Sequence, residues 1–87
     1  MTIQQELSQL VAALRRERDE LHLKLHLLQA EARDEWHALE KKWNHLRQKA
    51  ESVGDATGQS AGDVGAAARL LGEELRRGYQ RIRDSMR

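Results

Sequence analysis

Residues 50–68 read AESVGDATGQSAGDVGAAA. They hold four of the chain's six glycines and no large apolar side chain beyond Val. Gly54, Gly58 and Gly62 recur every four residues. Two structures compete for this segment. It is the turn of a helical hairpin, or it is a small-residue ridge on an unbroken helix. Each glycine inside a helix costs about 1 kcal/mol relative to alanine, so three together favour the turn. Gly54 would then be the C-cap of one helix, and Ser60 or Asp63 the N-cap of the next. The sequence thus predicts a long helix over 2–53, a joint over 54–62 and a second helix over 63–86.

Working outward, one apolar stripe runs almost end to end. It passes through Ile3, Leu7, Leu10, Leu14, Arg18, Leu21, Leu25, Leu28, Ala32, Trp36, Leu39, Trp43, Leu46, Ala50, Val53, Thr57, Ala61, Val64, Ala68, Leu71, Leu75, Tyr79, Ile82 and Met86. From Ile3 to Met86 there are 23 steps over 83 residues, about 3.61 residues per step, the period of a straight α-helix. Polar groups interrupt it at Arg18 and Thr57. Thr2 and Gln5 suit a capping box at its start. The chain therefore reads as one all-α domain over 1–87.

A hairpin centred near residue 58 would set Val64 by Val53, Leu71 near Leu46 and Trp43, and Ile82 near Trp36. Residues 3–28 would then overhang without a partner in their own chain. That stretch is rich in leucine, and each leucine left in water forfeits about 1.5–3 kcal/mol. Leu7, Leu10, Leu14, Leu21, Leu25 and Leu28 are accordingly the expected oligomer interface. Trp36, Trp43, Leu71, Leu75 and Ile82 are the expected core anchors. The expected assembly is a homodimer of hairpins, a four-helix bundle or coiled coil. Within it, Leu21-His-Leu-Lys-Leu-His-Leu-Leu28 alternates, which makes a helix apolar on both sides and calls for more than one neighbour.

Composition narrows the function. A third of the residues are charged, yet the net charge is +1, so neither nucleic acid nor a membrane is the expected partner of the whole chain. Residues 69–87 carry Arg69, Arg76, Arg77, Arg81, Arg83 and Arg87 against three acids. Arg76, Arg77, Arg81 and Arg83 are candidate contacts for an anionic lipid or other polyanion. Cysteine and proline are absent, which removes thiolate chemistry and leaves long helices unobstructed. No run approaches the roughly 20 apolar residues of a membrane span, and the N-terminus lacks signal-peptide character. A cytoplasmic location is expected.

His22 and His26 stand at i,i+4 and are weak candidates for a metal pair. His37 lies about 16 Å further along a straight helix, and flanking histidines beside a leucine seam are the commoner case. Adjacent acids such as Glu73 and Glu74 diverge on a helix and make no acid–base dyad. No nucleophile motif and no phosphate-binding glycine loop occurs. No catalytic residue and no cofactor is expected.

The segments Ala30-Glu-Ala32, Leu71-Gly-Glu-Glu-Leu75 and Gly78-Tyr79 resemble small bacterial helical-hairpin proteins of the apolipoprotein-like, stress-associated kind. The resemblance implies a coiled-coil or hairpin fold and no catalytic residue. The expected function is that of a non-enzymatic, self-associating interaction protein. The competing expectation is a peripheral binder of anionic lipid or another polyanion.

Overall fold

A computed structural model describes residues 3–55 and 59–86; of residues 3, 53–55 and 59–61 it describes the backbone alone. The described residues are all-helical. Helix α1 spans Ile3–Leu23, α2 Ala30–Asp55 and α3 Gln59–Ser85, with a 3₁₀ turn at Leu25–Leu27. The molecule measures 44 × 20 × 15 Å.

The partners across each seam give the topology. Trp36 meets Tyr79, Lys42 meets Glu74 and Glu35 meets Arg81, so α2 and α3 run antiparallel. His22 meets Trp36 and Arg18 meets Glu40, so α1 and α2 are also antiparallel. Glu6 meets Arg69 and Glu17 meets Arg83, so α1 and α3 are parallel. This is an up-down-up bundle of three helices within one chain.

The long helix expected over 2–53 is therefore two helices. Lys24 N–H donates to the Leu21 carbonyl at 2.9 Å, Leu27 to Lys24 at 3.0 Å and Leu28 to Leu25 at 3.0 Å. These are 3₁₀ bonds, which tighten the end of α1. Leu28 is extended, at φ −82° and ψ 141°, and α2 resumes with Arg33 N–H donating to the Gln29 carbonyl at 3.0 Å. The reason is burial. Leu7, Leu14, Leu21 and Leu28 are all buried against the same core as α2 and α3, worth about 1.5–3 kcal/mol each. A break in the ladder costs a few hydrogen bonds at about 1 kcal/mol net each. Folding back wins.

The same finding shows what covers the residues expected at the interface. Leu7, Leu14, Leu21 and Leu28 are buried, and Leu10 and Leu25 partly so, by their own chain. The overhang that motivated pairing of residues 3–28 with a second chain does not exist in this fold.

At the other joint, α2 reaches Asp55 and α3 already begins at Gln59. Gly54 thus lies in the last turn of α2, and Ser60 and Asp63 lie inside α3 rather than capping it. Regular helix thus covers residues 50–55 and 59–68 of this segment. Residues 56–58 lie outside the described residues, as do Thr2 and the contacts of Val53.

Among the described residues, all twelve buried apolar side chains fall on the sequence stripe: Leu7, Leu14, Leu21, Leu28, Trp36, Leu39, Trp43, Leu46, Ala68, Leu75, Tyr79 and Ile82. Glycine lets the helices come close at two points. A Cβ on Gly72 would lie 2.6 Å from Leu10 Cδ2, and one on Gly78 would overlap the branched end of Leu39, which is buried. By contrast, a Cβ on Gly62 would meet nothing within 4 Å. Two opposite outcomes are expected from thermal unfolding. Gly62→Ala should raise stability by up to about 1 kcal/mol, through helix propensity. Gly78→Ala should lower it by about 1–3 kcal/mol, because a packed leucine must move.

Candidate functional site

Two places concentrate chemistry: a polar cluster at the middle of the bundle, and the joint between α1 and α2.

The cluster begins with Arg18, which interrupts the stripe on α1. Its Nε donates to Glu40 Oε1 at 2.7 Å and its Nη2 to Glu40 Oε2 at 2.8 Å, a two-pronged pair between α1 and α2. Both side chains are about a quarter exposed. The hydrogen bond to Glu40 raises the Arg18 pKa, although burial opposes it. The guanidinium groups of Arg18 and Arg15 lie 5.7 and 5.9 Å from the Trp43 ring centroid, within cation–π range. Arg18 thus reaches Glu40 at the rim of the core while its guanidinium lies over the ring of a buried tryptophan.

Tyr79 sits behind this pair. It is fully buried and its ring stands 6.0 Å from that of Trp36. Its hydroxyl has no hydrogen-bond partner among the described residues. Burial pushes the Tyr79 pKa well above its ordinary value, and the Glu40 carboxylate adds to the effect. A phenol in such a place is held in its neutral form.

The joint is different. Leu23 is 77% exposed and Leu27 61% exposed, one helical turn apart in sequence. Beside them Leu25, His26, Arg33, Trp36 and His37 line a cleft of about 210 Å³. A second groove of about 400 Å³ lies between α1 and α2, lined by residues that include Ala12, Arg15, Arg47 and Glu51.

The residues singled out from the sequence are placed as follows. Trp36, Trp43, Leu75 and Ile82 are buried and Leu71 is partly buried. His22 ends α1 with its ring edge-on to Trp36 at 6.2 Å, whereas His26 belongs to the 3₁₀ turn. The pair thus spans the end of α1 and the 3₁₀ turn. Among the described residues no group of three or more His, Cys, Asp or Glu could hold a metal ion. Arg81 is tied to Glu35 at 2.7 Å and Arg83 to Glu17 at 3.4 Å. Arg76 and Arg77 are exposed. No helix is long and apolar enough to cross a membrane among the described residues.

Sequence reasoning overlooked the Arg18–Glu40 pair and the exposure at the joint. The signal for the first was a lone arginine on an apolar stripe. The signal for the second was the leucine alternation over 21–28. Comparison of the chain with protein families, with curated proteins and with solved structures finds no match.

The cluster yields a pH prediction. The folded pKa of Tyr79 lies above the unfolded value of about 10.0. Its neutral form therefore supports the fold fully below pH 10, and that support is lost progressively as pH rises above 10. Tyr79→Phe should flatten the alkaline loss seen in urea unfolding. It should also leave neutral-pH stability equal or higher by about 1 kcal/mol, since it deletes a buried hydroxyl without a partner.

Proposed function

We propose that this is a non-enzymatic helical interaction protein that self-associates as a homodimer. The observation that carries the reading is the exposure of Leu23 and Leu27 at one end of an otherwise charged bundle. Exposed apolar side chains grouped in this way mark contact surfaces. The titratable groups most altered by the fold support a non-catalytic role. Tyr79 is sealed in the core and Arg18 is held by Glu40, so neither is presented to a substrate.

Light scattering over a concentration series tests the reading. A dimer of about 20 kDa, from chains of 10.0 kDa, is the expected species at high concentration. Replacing Leu23 and Leu27 together by Ser should weaken it at least about tenfold, with little change in helicity. A 10.0 kDa species at every concentration contradicts the proposal.

A second reading, peripheral binding to anionic lipid or another polyanion, is favoured by the exposure of Arg76 and Arg77 on α3. The apolar stripe is already covered in the bundle, so these arginines would carry the contact. Co-sedimentation with phosphatidylserine vesicles that Arg76→Glu with Arg77→Glu abolishes is the expected result for it.

A further inference from the structure

The stripe ignores the break in the backbone. Leu21, Leu25, Leu28 and Ala32 keep the three- and four-residue spacing of a continuous helix, although a 3₁₀ turn and an extended residue lie between α1 and α2. A joint that had only to reverse the chain would have no need to hold that phase. Residues 24–29, KLHLLQ, also contain no Gly, Pro, Asn, Asp, Ser or Thr, the residues that favour turns. Their Leu, Lys and Gln are good helix formers. And of the three large apolar side chains that are exposed among the described residues, Leu23, Leu27 and Leu70, two belong to this joint. The segment is built to be helical and is held bent by packing.

We propose that the dimer forms by exchange of α1. The joint straightens, α1 and α2 merge into one helix over 3–55, and each α1 packs on the α2 and α3 of a second copy. The inference rests on the self-association reading above. Every contact that α1 makes in the closed chain is remade with the second copy, and the α2–α3 contacts stay within the chain, so the two states differ mainly at the joint. The antiparallel pairing of Arg18 with Glu40 and of His22 with Trp36 centres on residue 29. A two-fold axis at that level puts Leu27 about 3 Å and Leu23 about 9 Å away along the helix. The exposed leucines of both copies are thereby gathered around the middle of the dimer. Each dimer consists of two long and two short helices.

Cross-linking tests the exchange. Ala12 and Arg47 line one groove and are both exposed, and the chain has no cysteine of its own. Ala12→Cys with Arg47→Cys, bridged by a short bis-maleimide, should give intrachain links in the monomer fraction and interchain links in the dimer fraction. Denaturing gels read the difference. A companion variant, Gln29→Pro, suits the closed chain, because Leu28 is already extended as a residue before proline should be. It breaks a straight helix and should lower dimerisation at least about a hundredfold, while the monomer keeps its helicity. A dimer that carries intrachain links alone, or one that Gln29→Pro leaves unchanged, overturns the exchange and leaves self-association standing. A chain that is monomeric at every concentration overturns both.

Discussion

Everything in this fold depends on covering one continuous apolar stripe. A helix over most of the chain would present that stripe along its whole length, with no sheet and few aromatic side chains to shield it. The chain covers it by folding twice, so that three segments of the same stripe face one another around a common axis. Trp36, Trp43 and Tyr79 are the aromatic members of that core, and Gly72 and Gly78 let α3 approach Leu10 and Leu39 closely. Ion pairs between exposed side chains, such as Lys42 with Glu74, add at most about 1 kcal/mol each. They fix which helix faces which more than they hold the bundle together.

The fold class and the core were legible because both follow from helical periodicity alone. Among the described residues, the buried set can be read by stepping three or four residues at a time from Leu7 to Ile82. The bend between α1 and α2 was not legible. Its residues carry helix propensity and no turn chemistry, so the local sequence and the tertiary fold disagree there, and tertiary burial prevails. The glycine-rich joint shows the opposite behaviour. Its composition announces a break, yet regular helix extends further into it, from both sides, than the glycines suggest.

The candidate sites were legible in part for the same reason. A stripe reports which positions face inward, but not what stands opposite them. Arg18 looked like a flaw in the stripe because its partner, Glu40, lies 22 residues away and on a different helix. Leu23 and Leu27 looked like a second apolar face awaiting a neighbour, and both lie at the surface, Leu23 at the end of α1 and Leu27 in the 3₁₀ turn. Arg81 and Arg83 looked available to anions, and contacts with Glu35 and Glu17 engage them. In each case the missing information was the identity of the neighbour across the seam.

The central claim is that α1 folds back on α2 within one chain, and a single distance tests it. Ser8 and Glu51 are exposed and line the same groove between α1 and α2. Spin labels at these two positions, measured in the monomer fraction after dilution with unlabelled chain, should lie about 10–20 Å apart, side by side on neighbouring helices. An unbroken helix would separate them by about 64 Å at 1.5 Å per residue. A monomer distance above about 50 Å would contradict the account.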